Sequence, residues 1–264
     1  MEIHMIDKKK QNASNQSLAR ALSIFDLYSS KDSSWGIRDI ARELHSNPAT
    51  IYRSVKTMQE AGFLEKDVHT NRYLLSPKFL MMAEIYTRLN PIQVVAHNIF
   101  ERYSQKFSHN FYLGKLFNDK IMYITVLEGK GPIKVSVTQG VSIDLYCSAL
   151  GKVLLACQDD QYIEDYFSKT ELKAFTKNTV TDPQKLWEEI IHIRETGYAL
   201  NQGERYDGVG SVSMALIPKN REVDLAVSIA YPQHMINDKT LILEDLIKIV
   251  KDISNEISLR AAIR

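Results

Sequence analysis

This sequence predicts an α+β chain in two parts: a small unit of short helices closed by a β-hairpin, then an antiparallel sheet covered by helices. Three observations predict it. Apolar residues recur at three- and four-residue steps as far as Gly62 and then switch to strand-like runs. Two breaks, Ser76-Pro77 and Asn90-Pro91, bracket a single helical stretch. Beyond them, strand-like runs come in pairs joined by short polar turns, the pattern of hairpins rather than of parallel crossovers.

The elements follow in order. Residues 1–16 are polar, carry Lys8, Lys9 and Lys10, and read as a mobile tail. Ser17 is the expected N-cap of a helix with Leu18, Ala21, Leu22, Phe25 and Tyr28 on one face. Ile37, Ile40, Ala41 and Leu44 mark a second helix, and His45-Ser46-Asn47 is turn chemistry. Pro48 suits a first helical position, where its missing N–H costs nothing. Ile51, Val55 and Met58 face inward on the third helix, which Gly62 stops. Residues 63–66 and 72–75 are strands around a polar turn. Residues 78–89 form a helix with more apolar surface than a lone linker keeps in water. The domains are therefore a tail (1–16), a first domain (17–75), a linker helix (76–90) and a second domain (91–264).

In the second domain a helix is expected at 92–107, with strands at 111–117 and 121–127 around Asn118-Asp119-Lys120. A half-buried strand at 133–137 and a short extended stretch at 143–147 follow, then an apolar helix at 149–157. Asp182-Pro183 opens a helix that ends at Gly197. Strands at 209–217 and 223–231 flank Pro218-Lys219-Asn220, and a last helix spans 239–259.

Composition bounds the function. The chain has 264 residues, 44% hydrophobic and 25% charged, enough for real cores. Net charge is +1, so a nucleic-acid interface must depend on where charges sit, not on their sum. Cys147 and Cys157 make neither a disulfide framework nor a zinc site. The seven histidines are scattered without the i, i+4 spacing of metal ligands, so no metal is expected. No Gly-x-Ser-x-Gly elbow or phosphate-binding loop is present, and Gly208-Val209-Gly210 lacks the third glycine of a dinucleotide site. Hence no cofactor and no catalytic residue is expected. Without a long apolar run or a secretory signal, a cytoplasmic protein free of the membrane is expected.

The second and third helices, with the turn between them, make a helix-turn-helix, and the hairpin after Gly62 makes it winged. The outward face of the third helix carries Ala49, Arg53, Lys56 and Thr57, donors, positive charges and a methyl suited to base edges and phosphate. Asn47 and Thr50 sit at the helix start, where free N–H groups favour phosphate. His69, Asn71 and Arg72 lie near the wing tip, placed for backbone or minor groove. The expected partner is a double-stranded DNA operator.

The stretches SLARALSIFDLYSS, GIRDIARELHSNPATIYRSVKTMQEAGFLEKD and NRYLLS resemble the DNA-binding domain of the IclR family of transcription regulators. The likeness continues through YCSALGKVLLA (146–156), TDPQKLWEEIIHIRETGYALNQGE (181–204) and GVGSVSMALIP (208–218), and covers residues 17 to about 255. It implies homodimers or dimers of dimers, a GAF-like sensor domain, and a small-molecule effector such as an aromatic, aliphatic or sugar-derived acid. It also implies an effector site using the backbone of Ala149 and Leu150, the position of Asn201, the polar positions Ser211 and Ser228, a further position at Ala230, and walls from Leu145, Tyr146 and Val209. Physically, Ser148-Ala149-Leu150-Gly151 opens a helix after an extended stretch, a natural anion site. Asn201 stands where the family has an acid and Ala230 where it has a serine, so no relative's ligand transfers directly. A neutral Asn201 can donate to a ligand oxygen.

These readings converge on a ligand-responsive regulator, in which a carboxylate or sugar acid bound to the second domain changes operator affinity. The alternative is an enzyme acting on a small acid, with the N-terminal unit as a dimerisation module; product formation from candidate acids separates the two. A ligand-blind architectural DNA binder is a third reading, distinguished by the absence of any thermal shift with metabolites.

Overall fold

Asn15, not Ser17, starts the first helix. Its side-chain oxygen accepts from the Leu18 N–H at 3.2 Å, so α1 runs Gln16–Asp26 and Ser17 falls inside the first turn. Both are good capping residues, and the one that leaves Ile24 facing the core sets the start. The computed structural model describes residues 15–29, 32–131, 137–217 and 223–261. The tail expected before Asn15, the strand expected at 133–137 but for Val137, and the turn at 218–220 lie outside them. The chain divides between Leu89 and Asn90 into two compact units.

In the first unit α2 (Ile37–Glu43) and α3 (Pro48–Glu60) are joined by a tight turn in which His45 takes a positive φ of 46°. Asn47 caps α3, its oxygen accepting from the Ala49 N–H at 2.8 Å, and Pro48 occupies the first turn. Gly62, at φ 77°, ends the helix segment and turns the chain into β1 (Leu64–Lys66). This strand pairs antiparallel with β2 (Tyr73–Leu75), and Trp35 bridges to Tyr73 on the other side. Ile24, Ile40, Ile51, Val55 and Leu64 are fully sequestered between these elements. The next helix, α4 (Lys78–Leu89), buries no residue. Phe79 leans on Phe25 and Phe63, with ring centroids 5.2 and 5.7 Å away, while Leu80, Met81, Met82 and Leu89 face solvent.

The second unit is a six-stranded sheet with antiparallel neighbours throughout. Its elements are α5 (Ile92–Ser104), β3 (Asn110–Phe117), β4 (Lys120–Leu127), β5 (Ser142–Asp144), α6 (Ala149–Ala156), α7 (Asp160–Lys169), α8 (Pro183–Thr196), β6 (Ala199–Gln202), β7 (Val209–Ala215), β8 (Leu225–Pro232), α9 (His234–Asn237) and α10 (Leu243–Ala261). Strand order is β5-β4-β3-β8-β7-β6. The β3–β4 turn has Asn118 at φ 50° and Asp119 at φ 56°, the paired left-handed residues that match strand twist. Of the helices, α7 and α9, and of the strands, β6, were not anticipated; β6 has four residues, too few for a period to register.

Alternation along the strands makes two unlike faces. Phe111, Leu113, Val212, Val227 and Ile229 pack beneath α5 and α10. The opposite face, under α6 and α8, carries Tyr112, Ala226 and Ala230. Ser211 lies opposite Ala230 and Ser213 opposite Ser228 on that same face. Small residues in the middle of a sheet leave space below the covering helix, and that space is a cavity of the second unit.

Candidate functional site

On α3 the buried side is Ile51, Val55 and Met58. Ala49, Arg53, Lys56 and Thr57 are exposed, and so is Tyr52, half in solvent and not anticipated. The Arg53 side chain makes no hydrogen bond or ion pair among the described residues. Lys56 has a loose contact of 3.9 Å to Glu60. Thr57 folds its hydroxyl back to the Arg53 carbonyl at 3.0 Å.

Two details differ from expectation. The start of α3 offers no free N–H run to phosphate. Pro48 has none, Asn47 takes that of Ala49, and those of Thr50 and Ile51 bond the Asn47 carbonyl at 3.0 and 3.1 Å. Asn47 is thus first a cap, and Thr50 is half-buried. In the wing, His69 and Asn71 are exposed, but Arg72 is not a loose cation. Its Nε donates to the Ser34 hydroxyl at 3.1 Å, Nη1 to Asp39 at 3.0 Å and Nη2 to the Ser34 carbonyl at 2.8 Å. All three nitrogens are occupied, so Arg72 fastens the wing to the start of α2. Asp67 receives the His69 N–H at 2.7 Å and holds the wing turn; these hydrogen bonds keep its carboxyl below the usual range.

The cavity in the second unit is about 40 Å³. Ala149, Leu150, Asn201, Val209, Ser211, Ser228 and Ala230 all line it, as the sequence suggested. Ser148, part of the expected helix start, lines it too, and Tyr112, Tyr123, Arg205 and Tyr206 line it and were missed. Leu145 and Tyr146 do not. Both are fully buried in the core, their N–H groups donating to the Tyr166 hydroxyl at 3.0 and 3.3 Å. The Tyr146 hydroxyl is tied to the Lys173 backbone at 2.8 Å. The strand-to-helix link is helical at these positions and turns them away from the cavity.

Ser148 caps α6 by accepting from the Gly151 N–H at 3.0 Å. The Ala149 and Leu150 N–H groups have no acceptor among the described residues, so the helix start faces the cavity with two open donors. The side chains expected to assist are more committed. Asn201 gives one amide hydrogen to the Cys147 carbonyl at 2.9 Å, and its oxygen accepts from the Gly203 and Glu204 N–H groups at 3.1 Å each. Its main work is to hold that turn, which a carboxylate would do only in part because it cannot donate to Cys147. Ser228 donates to the Val212 carbonyl at 3.1 Å and accepts from Ser213 at 2.8 Å. Ser211 has no partner among the described residues. Tyr112 and Tyr123 meet edge to face at 5.4 Å, and burial pushes the Tyr112 phenol up to about 12, so it stays a donor at neutral pH. Burial also pushes the Cys147 thiol up to about 12, which leaves it unreactive.

Beneath the turn carrying Arg205 lies a buried cation. Lys152 of α6 reaches Glu204 at 2.5 Å and Glu189 at 2.6 Å. Desolvation raises the Glu204 carboxyl above its ordinary range despite this partner. No group of residues that could hold a metal ion occurs among the described residues. Nor is any helix there long and apolar enough to cross a membrane.

Comparison with known proteins places this geometry. Residues 17–68 match the IclR helix-turn-helix domain, and residues 85–259 match the family model described as bacterial transcriptional regulator IclR C-terminal. The DNA-binding transcriptional repressor YiaJ of Escherichia coli is 26% identical over 263 residues, 97% of this chain and 93% of the relative. A putative IclR transcriptional regulator from Silicibacter sp. TM1040 superposes with a TM-score of 0.82 at 22% identity, over 93% of this chain and 96% of the other. An IclR homologue from Microbacterium hydrocarbonoxydans, complexed with 4-hydroxybenzoate, gives 0.80 at 21% identity, over 93% and 99%. The relatives are named as regulators rather than enzymes.

Proposed function

The chain belongs to the IclR family of bacterial transcriptional regulators, and on that premise we propose that it is a one-component sensor whose operator affinity is set by a small carboxylate or sugar acid in the cavity under α6. The observation that carries this reading is the pair of open N–H groups at Ala149 and Leu150, aimed into a lined cavity. A helix start carries a fraction of a positive charge, and the phenols and Ser211 add neutral donors around it.

Arg53, Lys56 and Thr57 on α3 are the groups that meet DNA, with His69 and Asn71 of the wing beside them. The exposed apolar run on α4 supports a homodimer or dimer of dimers, and hence a near-palindromic operator. Phe79 is spent inside its own unit, so Met82 and Leu89 are the contacts to change; sedimentation of a stable monomer at micromolar concentration would exclude the dimer. The ligand acts by preferring one placement of the paired winged helices, and the change in operator affinity equals its difference in affinity for the two arrangements. The protein works in the cytoplasm, where its DNA lies.

The test is to select binding sites from random DNA with the full chain. The resulting operator is then titrated with and without a panel of aliphatic, aromatic and sugar acids. At least one acid is expected to change operator affinity severalfold. Failure of every acid to do so, with sequence-specific binding intact, overturns the sensor reading.

A further inference from the structure

Resting on the reading of this cavity as the ligand site, we propose that Arg205 is a second anion-recognising group in it. The effector is then a short dicarboxylate, one end on the Ala149 and Leu150 N–H groups and the other on the Arg205 guanidinium.

The charge inventory comes first. Among the described residues that line the cavity there is one guanidinium and no carboxylate. An arginine keeps its charge at any ordinary pH and cannot escape desolvation by losing a proton. Its Nε and Nη1 are sealed from solvent and have no hydrogen-bond partner among the described residues. Arg205 as a whole is part-buried, and unpaired nitrogens shut in beside a cavity are ones that an entering anion would answer once the wall gives.

Arg205 is also held still. Its guanidinium carbon lies 3.7 Å from the Phe175 ring centroid, and Phe175 stacks in turn on Tyr146 at 6.2 Å. This stack on one aromatic face restrains the guanidinium. The backbone beneath is clamped as well. Lys152 anchors Glu204, Thr176 donates to the Gly203 carbonyl at 2.7 Å, and Thr179 donates to the Glu204 carbonyl at 2.6 Å. A cation so restrained loses little freedom when a ligand arrives.

The two positive features belong to different elements, a helix start and a clamped turn. A monoacid bound at the helix start leaves Arg205 unmatched, whereas a diacid answers both. Size points the same way. A cavity that holds benzene measures about 150 Å³ against 40 Å³ here, so the wall must give for any acid, and the shortest diacids ask least of it.

The experiment is calorimetric titration of the full chain with malonate, its half-amide malonamate and its diamide malonamide. These have the same number of heavy atoms and are a dianion, a monoanion and a neutral molecule. Malonate is expected to bind about tenfold or more tighter than malonamate, and malonamide not at all. Arg205→Gln should abolish the preference for malonate and leave malonamate near its wild-type affinity. Arg205→Lys, which keeps charge but not the planar stack, should retain part of the preference, and it serves if the glutamine variant melts early. If wild type binds malonate and malonamate equally, or Arg205→Gln keeps the preference, the Arg205 proposal falls while the cavity remains an acid site. If neither binds while another acid of the panel does, the dicarboxylate proposal falls and the cavity reading stands; if no acid of the panel binds, both fall.

Discussion

The two surfaces proposed to meet partners, the outer face of α3 and the cavity under α6, are built in opposite ways. On α3 the exposed side chains stand apart: Arg53 bonds to nothing among the described residues and Lys56 has one long contact. Around the cavity the open donors are set among side chains that are already engaged, Asn201 in three hydrogen bonds and Ser228 in two. A repeating polyanion can be met by loose cations that settle as it docks. One small molecule gives too few contacts to order its own site, so the walls must be set beforehand. The rule predicts that changes on α3 alter binding without altering stability, and that changes around the cavity alter both.

The largest expected effect lies under the cavity. Lys152→Met leaves the buried Glu204 carboxylate without its partner, a loss of about 3–5 kcal/mol. Urea unfolding of the full chain should show the transition of the second unit move to lower denaturant while that of the first stays put. Adding Glu204→Gln should return much of the loss, because the stranded charge is removed. If Lys152→Met unfolds like wild type, the clamp under Arg205 is not structural and the contrast between the two surfaces loses its main support.

The same contrast explains what could be read from the sequence. α3 was legible because exposure on a helix follows from period alone: Ile51, Val55 and Met58 point in, so Arg53 and Lys56 point out. The cavity positions Ala149, Leu150, Ser211 and Ser228 were legible through the family resemblance, and they line the cavity. Tyr112 was within reach, since it alternates with Phe111 and Leu113, but alternation does not say which face of a doubly covered sheet holds the cavity. Arg205 left no such trace. It sits in a turn, and both the ring it rests on, Phe175, and the lysine that anchors its neighbour Glu204, Lys152, are 30 or more residues away in the chain. Arg72 shows the opposite case. A basic residue at a wing tip reads as a DNA contact, and nothing local shows that Ser34 and Asp39 have claimed it.

Those two arginines sharpen the comparison within the first unit. Arg53→Ala should lose about 1–3 kcal/mol of specific operator binding and relax sequence preference, with no change in melting. Arg72→Ala should do the reverse. It should lower stability by about 1 kcal/mol, the lower end for a charged hydrogen-bond cluster because the side chain is about a third exposed, and leave the salt dependence of DNA binding as it was. Gel-shift titrations at several salt concentrations, alongside thermal melts, check both. A shallower salt slope for Arg72→Ala would mean that this residue leaves its clamp to grip phosphate, and the wing would then behave like α3.

The smallest expected effect is a pH dependence confined to the second unit. His109, just before β3, is nearly buried, and desolvation holds its imidazole below the ordinary value of 6.5. The folded chain therefore gives up this proton at lower pH than the unfolded chain does. Between the two values the unfolded state binds more protons, so stability falls as pH drops below 6.5 and is constant, for this group, above it. His109→Gln, which cannot titrate, should flatten that slope in the urea midpoint of the second unit while leaving the plateau at higher pH close to wild type. A second-unit slope that survives His109→Gln would place the responsible proton elsewhere, and would show that the cavity unit is not so uniformly preset as its hydrogen bonds suggest.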